Sequence, residues 1–415
     1  MSKFTHDVVV VGAGIIGTTI AERLQYEGKR VLLIDRSAPG EGCSKGNAGH
    51  FATDVILPLA NFKTLLQVPK LLLDPLGPLA ISWSYFPRLL PWLMRFAWAA
   101  MPHKSQHSID ALKQLNRPSI ATFETLLART GLTDLMSQQG ALTVFSTESG
   151  RRKCLAHAAL VEPHGINVQI LSTEQVSAFE PALKSSISGA LYFPDTAHTI
   201  NPFRLVTALF AQFMAQGGNF KQDSVIGIDA SQTQVTLKTT TADITAKEII
   251  IACGAWSKDL LKTMGHNVPL ETERGYHLML SDPQVKITRP ITSFEHSFVL
   301  TPMEEGLRLA GTVELAGLNA PANERRALQL LQHAQNILTN VNKNHYSTWM
   351  GHRPSLPDSL PIIGRSPKNS NVILAFGHQH LGLTQAAVTA QIISQIIHQQ
   401  ALSINIEPYS IKRFS

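Results

Sequence analysis

The sequence predicts a mixed α/β and α+β fold, in which a parallel α/β unit is joined to a mostly antiparallel sheet. Near the amino terminus, two apolar strands flank a glycine-rich turn and a helix. Near the carboxyl terminus, an apolar strand (372–376) leads through a glycine loop (377–382) into a helical stretch (384–398). Between these units lie short strands bounded by Gly and Pro, a spacing typical of antiparallel sheets. The length of 415 residues allows two or three domains.

The amino-terminal unit carries a glycine motif in a specific context. Residues 8–11 are a run of valines, which predicts a buried parallel strand. Residues 15–26 have the apolar spacing of a packed helix that Gly28 ends, and 31–34 predict a second buried strand. The glycines of the G-x-G-x-x-G motif between the first strand and the helix are Gly12, Gly14 and Gly17. Strand, motif and helix in this order predict dinucleotide binding, with a structural βαβ unit as the alternative.

The second strand ends on Asp35, at the distance where an acidic residue holds a ribose hydroxyl. An acid there favours a cofactor with a free 2′-hydroxyl, FAD or NAD, although Arg36 follows directly. The amino end of the helix, at Ile15 and Ile16, is expected to face the diphosphate.

Composition narrows the class of protein. Hydrophobic residues make up 44% and charged residues 16%, which is typical of a globular chain. The net charge of +6 is spread without a Lys/Arg run, so we expect no nucleic-acid partner. Cys43, Cys154 and Cys253 form neither a disulfide framework nor a metal-binding spacing. The first strand begins so close to Met1 that a signal peptide has no room, which predicts a cytoplasmic location.

Two segments after Asp35 stand out. Residues 38–54 are rich in Gly, Ser and Asn, and this loop leaves the ligand-binding edge of the sheet. We expect it to contact the cofactor, with His50 near the reactive part, although a solvent loop is the alternative.

Residues 55–102 are rich in Trp, Leu and Pro, and Asp74 is the acid among several cations. Pro and cations interrupt this segment too often for a spanning helix. It is either a helical layer with buried apolar faces or a peripheral membrane surface. Its cations are Lys63, Lys70, Arg88 and Arg95, and Lys104 follows.

The remaining elements follow in order. A helix is predicted at 108–127, another from Asn201-Pro202 to the glycines 217–218, and an amphipathic one at 323–341. Strands are predicted at 140–145, 189–193, 224–228, 234–239, 248–252, 275–280, 298–302 and 307–311. The strand 248–252 ends on the small-residue turn Cys253-Gly254-Ala255-Trp256, a second place where backbone can approach a cofactor.

Four pieces in this order resemble the FAD-dependent D-amino-acid oxidase (DAO) superfamily. They are VVVVGAGIIG with VLLIDR, CSKGNAGH, IIIACGAWS, and GHRPSLPDSLPIIG with GHQHLGLT. The bacterial D-amino-acid dehydrogenase branch, which includes D-proline and D-hydroxyproline dehydrogenases, is the part of the superfamily that the chain resembles. The resemblance implies a Rossmann-like FAD-binding domain interleaved with a substrate domain on a mostly antiparallel sheet. The implied FAD-binding domain comprises 1–55, 148–186, 200–262 and 348–415; the substrate domain comprises 56–147, 187–199 and 263–347.

The resemblance also implies residue roles around non-covalent FAD and no metal. Gly12, Gly14 and Gly17 match the diphosphate glycines, and Asp35 matches the ribose acid. The implied flavin loop comprises Ser44, Asn47, Ala48, Gly49 and His50. Val225 matches the residue that meets the adenine. The implied second cofactor turn is Cys253, Gly254 and Trp256, and the turn facing the flavin carbonyl is Gly382, Leu383 and Thr384.

For the substrate, Arg353 of GHRP matches the arginine that pairs with a carboxylate. Tyr276 resembles a hydroxyl that assists it, and His380 matches a side chain over the substrate. His50 stands where branch members often carry an amide. A structural ion pair for Arg353 and ordinary packing for Tyr276 and His380 are the alternatives.

The implied activity is FAD-dependent dehydrogenation of a D-amino acid, D-proline or D-hydroxyproline among the candidates, with hydride transfer to the flavin. One alternative is a glycine or sarcosine oxidase that uses oxygen; another is a non-enzymatic FAD-binding partner protein. The apolar segment 55–102 favours a quinone acceptor and peripheral contact with the inner face of a membrane.

Overall fold

The computed structural model describes residues 6–231 and 234–414, apart from the side chain of Lys63. The helices are α1 Ile15–Tyr26, α2 Phe62–Leu71, α3 Phe86–Ala99, α4 Pro102–Asn116, α5 Ser119–Thr130, α6 Glu148–Val161, α7 Thr173–Phe179, α8 Pro202–Ala215, α9 Ser257–Lys262, α10 Glu324–Ile337 and α11 Gly382–Ile397. The strands are β1 Val8–Val11, β2 Val31–Asp35, β3 His50–Phe51, β4 Leu79–Ile81, β5 Met136–Ser137, β6 Ala141–Phe145, β7 Gln169–Leu171, β8 Gly189–Phe193, β9 Ala197–Thr199, β10 Asn219–Gln222, β11 Val225–Ala230, β12 Val235–Thr239, β13 Ile244–Ala246, β14 Glu248–Ile251, β15 Glu271–Leu280, β16 Ile291–Ser293, β17 Phe298–Met303, β18 Gly306–Leu315, β19 Tyr346–Ser355, β20 Ile362–Arg365 and β21 Val372–Phe376.

The first layer is a sheet with the strand order β10-β2-β1-β14-β21-β20. Its strands run parallel, except that β20 is antiparallel to β21. Val8 and Val10 face a core shared with α1 and α11, whereas Val9 and Val11 face a core shared with β11, β12 and β13. Burial on both faces explains the unbroken run of valines in β1. The predicted Rossmann-like sheet is confirmed.

The second layer is a larger sheet with the order β19-β15-β18-β17-β16-β6-β8-β7, and β4 lies beside β18. Neighbouring strands are antiparallel, apart from the parallel pairs β16–β6 and β18–β4. Helix α10 covers one face through Leu330, which packs with Leu278 and Leu309. The predicted mostly antiparallel sheet is therefore also confirmed.

Strands β15, β18 and β19 carry residues of this sheet that contact the first layer and the loop after β2. β15 pairs with β19 over its full length, from Glu271 opposite Ser355 to Leu280 opposite Tyr346. The ladder between β15 and β18 is irregular, because Arg274 and Tyr276 pair with Glu314 and Gly311. One extra residue therefore lies in β18, which is a β-bulge.

The segment 55–102 forms α2, β4 and α3. Leu89 and Trp92 of α3 pack on Leu315 of the large sheet, so one side of this helix is buried. On the outside, Leu66, Trp83 and Met94 are exposed. In the part of the chain that the structure describes, none of the helices combines the length and apolar character that crossing a bilayer requires.

The predicted helix 108–127 is wrong in one respect, because it is divided into α4 and α5. The division falls at Pro118, which has no N–H to continue the hydrogen bonding of α4.

The predicted domain boundaries also differ from the layers that the structure forms. Within 148–186, β7 pairs with β8 of the large sheet, and β19 (Tyr346–Ser355), most of which falls within 348–415, belongs to that sheet as well. Conversely, α4 and α5 lie within 56–147 but pack on α11 through Leu112 and Phe123. We therefore propose that 148–186 and 346–355 belong with the large sheet, and 102–130 with the first layer.

Candidate active site

A cavity of about 470 Å³ opens where β1, β2, β14 and β21 end. The strand-end residues that line it are Val11, Asp35, Ala252 and Phe376. The first residues of two helices, Ile15 of α1 and Gly382 of α11, reach the same space. Ligands of doubly wound sheets bind at this edge. Free N–H groups at helix amino ends favour anionic groups such as a diphosphate.

Two glycines of the motif are required by their surroundings. Gly12 has a φ of 108°, and a Cβ on it would lie 2.4 Å from the carbonyl oxygen of Ala252. A Cβ on Gly17 would lie 1.8 Å from the carbonyl oxygen of Gly12. No side chain fits at either position, so these residues allow the tight turn and the close packing of α1 on the sheet.

Asp35 and Ser44 brace the cavity. The Asp35 carboxylate accepts hydrogen bonds from the amides of Ala13 at 2.7 Å and Ser37 at 2.9 Å. The Ser44 hydroxyl accepts one from the Ile15 amide at 2.9 Å, which ties the loop after β2 to the start of α1. Both residues also line the cavity. Asp35 therefore remains in position for a ribose hydroxyl, and Ser44 remains in position as part of the predicted flavin loop.

An aromatic wall closes one side of the cavity. The guanidinium of Arg36 lies 4.0 Å from the ring centroid of Trp256, and His352 packs edge-on against the same ring. Burial, together with Arg274 and Arg36, lowers the pKa of His352 to about 4, so its ring is neutral. At Gly254, a Cβ would meet nothing within 4 Å, so the backbone there faces open space. A planar wall beside bare backbone fits the adenine end of FAD.

The cavity brings together most of the predicted cofactor residues. Those that line it are Gly12, Gly14, Ile15, Ile16, Asp35, Arg36, Ser44, Asn47, Val225, Cys253, Gly254, Trp256, Gly382 and Leu383. The Cys253 thiol donates to the Val11 carbonyl at 3.3 Å, and burial raises its pKa to about 12, so it stays protonated.

Five predicted cofactor residues are not among those that line the cavity: Gly17, Ala48, Gly49, His50 and Thr384. Thr384 is fully buried, and its hydroxyl accepts a hydrogen bond from the Ala52 amide at 3.1 Å. Its contribution to the site is therefore to hold the loop that contains Ala52 against α11. The backbone of Gly49 lies so close to Thr199 that a Cβ on Gly49 would be 2.8 Å from the Thr199 carbonyl oxygen.

The sequence analysis did not predict four further residues that line the cavity: His352, Pro354, His378 and Gln379. Gln379 has a φ of 49°, and its amide N–H donates to the carbonyl of Pro354 at 3.1 Å. This contact joins the loop before α11 to the end of β19. The glycine loop 377–382 marked the region, but no local pattern marks a positive φ at a glutamine.

Arg353 is not among the residues that line this cavity, but its neighbours in β19, His352 and Pro354, are. Its guanidinium covers the backbone of Gly275, where a Cβ would be 2.3 Å from its central carbon. Its Nη1 donates to the carbonyl of Thr312 at 3.0 Å. Across residues 6–231 and 234–414, no ion pair includes Arg353. No close ion pair of Arg353 is thus observed, although the buried carboxyl of Glu273, opposite Arg353 in the β15–β19 ladder, lies within reach of its charge.

The side chain of Tyr276 does not lie next to that of Arg353. In the β15–β19 ladder, Arg353 is opposite Glu273, and Tyr276 lies three residues further along β15. Because side chains alternate between faces, Tyr276 points to the opposite side of the sheet. There its hydroxyl donates to Glu314 at 2.6 Å and accepts from the Asn323 amide at 3.0 Å. We therefore correct the expectation that this hydroxyl assists Arg353.

His380 and His50 are both half-buried and neutral. Burial and the nearby charge of Arg353 lower the pKa of His380 to about 4. Burial alone lowers the pKa of His50 to about 4, and its Nε2 has no hydrogen-bond partner among the described residues. His50 pairs with His198 in the small sheet formed by β3, β9 and β5. Arg353 acts electrostatically on His380, which places these two groups in one neighbourhood.

The loop 43–49 is fixed against the large sheet. His277 bonds to the carbonyl of Gly46 through Nδ1 at 3.0 Å, and its ring stacks on Trp349. A Cβ on Gly46 would lie 2.0 Å from the Trp349 ring. Arg308 donates to the carbonyl of Asn47 at 2.6 Å. The loop beside the cavity therefore belongs to both layers and is held between them.

A doubly wound sheet with a glycine turn suited to a diphosphate, joined to a large, mostly antiparallel sheet, is the arrangement of an FAD-binding oxidoreductase. Residues 7–396 match the FAD dependent oxidoreductase (DAO) family. A D-amino-acid oxidase of Bradyrhizobium diazoefficiens is 32% identical over 415 residues and 98% of each chain. A D-amino acid dehydrogenase of Vibrio atlanticus is 28% identical over 429 residues, 98% of this chain and 100% of that one. The chain belongs to the FAD dependent oxidoreductase (DAO) family.

Solved structures share the fold. Glycine oxidase from Geobacillus kaustophilus superposes with a TM-score of 0.75 at 20% identity, covering 98% of both chains. L-proline dehydrogenase from P. horikoshii superposes with a TM-score of 0.72 at 18% identity, covering 100% of this chain and 98% of that one. The protein is thus an enzyme that uses FAD to oxidise amines.

Proposed function

We propose that this enzyme dehydrogenates a D-amino acid at the carbon that bears the amino group. The product is an imino acid, which water hydrolyses. Arg353 carries the proposal, since no close ion pair includes it among the described residues and its neighbours His352 and Pro354 line the cofactor cavity. A guanidinium fork binds a carboxylate through two parallel hydrogen bonds. Stereochemistry rests on the relatives, whose names are D-amino-acid oxidase and D-amino acid dehydrogenase.

The residues of the chain supply binding and orientation. When bound, FAD supplies the acceptor for the hydride that leaves the substrate Cα. Arg353 fixes the carboxylate and so restricts the direction of the Cα–H bond. His380, with its pKa lowered to about 4, is an uncharged neighbour that tolerates a neutral substrate amine. An amine that binds unprotonated needs no dedicated base.

Anaerobic bleaching of the long-wavelength flavin band tests this proposal. The holoenzyme is mixed with D- and L-amino acids, D-proline, D-hydroxyproline, glycine and sarcosine. We expect fast bleaching by a D-amino acid, and D-proline and D-hydroxyproline decide whether a cyclic amine is preferred. Bleaching by glycine or sarcosine alone would favour the oxidase alternative.

Arg353→Ala should abolish bleaching at substrate concentrations that saturate the wild-type enzyme. Arg151→Ala, which removes an exposed arginine of α6, is the matched control. No bleaching of the wild-type enzyme by any member of the panel would reject the proposal.

We further propose that α2 and α3 form a peripheral membrane surface through which a lipid-soluble quinone reaches the enzyme. Leu65 of α2 and Phe96 of α3 both pack against a small cluster formed by Ala60, Ala99 and Ala100. Their exposed apolar side chains include Phe62, Leu66, Met94 and Trp98, with Leu73 and Trp83 nearby. The cations Lys70, Arg88 and Arg95 are exposed beside them, and Lys104 lies 4.4 Å from the Trp98 ring. Apolar groups with a basic rim suit anionic lipids.

Co-sedimentation with anionic liposomes at low salt tests the membrane proposal. We expect the wild-type holoenzyme to sediment, and a Trp83→Ser/Met94→Ser/Trp98→Ser variant to remain in the supernatant. Leu160→Ser/Ile170→Ser replaces exposed apolar residues elsewhere and should sediment like the wild type. Reoxidation by a quinone in the vesicles should then outpace reoxidation by oxygen. Wild-type protein that stays in the supernatant would contradict the proposal.

A further inference from the structure

We infer that Thr312 is a positioning residue for Arg353 and that its backbone carbonyl fixes the guanidinium. This inference rests on the proposed function, because it treats Arg353 as the carboxylate-binding group. Thr312 lies in the bulge of β18, between Gly311 and Glu314, which pair with Tyr276 and Arg274. The extra residue turns one carbonyl out of the ladder, and that carbonyl accepts the Nη1 hydrogen bond of Arg353 at 3.0 Å.

The conformation of Thr312 is unfavourable on its own. Its φ is 61°, in the left-handed region where a β-branched residue is an outlier. Its hydroxyl oxygen is buried and has no hydrogen-bond partner within the described residues. The left-handed φ belongs to the bulge, and both features cost free energy. Such costs are found where local geometry serves a site.

The surroundings hold this geometry in place. Gly275 forms a floor under the guanidinium, since any Cβ there would overlap it. On the far side of the bulge, Val313 and Leu315 pack against Leu89 and Trp92 of α3. Among the described residues, the guanidinium of Arg353 makes its hydrogen bond through Nη1, to the carbonyl of Thr312. Thr312 therefore occupies one edge of the fork, and the remaining donors stay free for a carboxylate.

Deletion of Thr312 is the direct test. It restores a regular ladder in which Glu314 stays opposite Arg274, but it removes the carbonyl that Arg353 uses. The readout is the flavin spectrum of the holoenzyme during titration with benzoate, a carboxylate without an oxidisable α-hydrogen, or with neutral benzamide. We expect the Kd for benzoate to rise about tenfold or more and the Kd for benzamide to change by less than about twofold.

Two substitutions complete the test. Thr312→Val keeps the bulge and the carbonyl and loses only the hydroxyl, so benzoate should bind as in the wild type. Thr312→Gly keeps the carbonyl but frees the backbone, so the Kd for benzoate should rise about threefold, with little change in kcat. A merely structural role would weaken both probes alike and lower the flavin content.

Benzoate affinity unchanged in the deletion variant would overturn the inference. If the deletion variant does not fold, unchanged affinity in Thr312→Gly overturns it instead. In both cases the wild type would still be bleached by its amino acid, so the proposed function would stand. A wild type that neither binds benzoate nor is bleached would reject the proposed function and this inference together.

Discussion

At the scale of single residues, the proposed role of Arg353 depends on its guanidinium. Lysine keeps the charge but cannot make two parallel hydrogen bonds or span from Thr312 to a ligand. We expect Arg353→Lys to lower kcat/KM by about 10- to 100-fold, mostly through KM, because one charge-assisted hydrogen bond is lost. Steady-state kinetics on the substrate found by bleaching measure this. A variant with wild-type KM would show that the carboxylate binds elsewhere.

Thr312 gives a stability prediction of its own. Asparagine adopts the left-handed region more readily than a β-branched residue. We therefore expect Thr312→Asn to raise the free energy of unfolding by about 1 kcal/mol while benzoate affinity stays unchanged. Urea unfolding of the holoenzyme is the measurement, and Thr301→Asn, at a fully buried threonine of β17, should be destabilising. Lower stability of Thr312→Asn would show that the conformation at residue 312 is not strained.

The positions of the glycines and Asp35 at the cavity could be predicted from the sequence because they follow from local spacing, whereas the role of Arg353 was implied by the family resemblance and stays a prediction. Tyr276 could not be placed correctly, because its direction depends on the register of β15 against β19. The bulge at Thr312 is equally invisible, since one extra residue in a ladder leaves no local pattern.

At the scale of elements, the turn between β1 and α1 leaves no space for a side chain at Gly17. We expect Gly17→Ala to yield protein without bound flavin, because the added methyl group overlaps the carbonyl of Gly12. Gly42→Ala is the control, since Gly42 lines the same cavity and a Cβ there meets nothing within 4 Å. The ratio of flavin to protein absorbance reports the result. Full flavin content in Gly17→Ala would contradict the role of this close packing.

The strands of the first layer were predictable because burial on both faces leaves continuous apolar runs, as in β1 and β21. Helix ends were predictable where capping residues are local, as with Asn201, whose side chain caps α8. The layer to which α4, α5 and β7 belong could not be predicted, because it depends on which distant element covers each apolar face.

At the scale of the whole molecule, the site exists only where the two layers meet. The first layer supplies the cofactor cavity, and the large sheet supplies Arg353 and Gly275. The loop 43–49 belongs to the first layer in sequence but is held by His277 and Arg308 of the large sheet. Catalytic alignment therefore depends on the contact between layers, and conditions that loosen this contact should release flavin before the sheets unfold.

Buried histidines make the folded molecule sensitive to acid. Burial lowers the pKa of six histidines to about 4 and the pKa of His378 to about 3. Those at about 4 are His50, His198, His277, His333, His352 and His380. An unfolded histidine titrates near about 6.5, so the unfolded chain binds more protons between these values. Stability is therefore full above pH 6.5 and falls as the pH drops towards 4.

We expect each of these histidines to lower the free energy of unfolding by on the order of 1 kcal/mol at about pH 5.5. The melting temperature should therefore fall steeply below neutral pH. Asp54 acts in the opposite direction, because burial raises its pKa to about 6, but one carboxyl group cannot offset several imidazoles. Thermal melts of the holoenzyme in buffers from neutral to mildly acidic pH measure the slope. His378→Asn should flatten it, because its ring is buried against Thr389, whereas His103→Asn at an exposed position should not. A melting temperature that is constant over this range would mean that these rings are protonated in the folded state, and the uncharged His380 of the proposed site would be rejected with them.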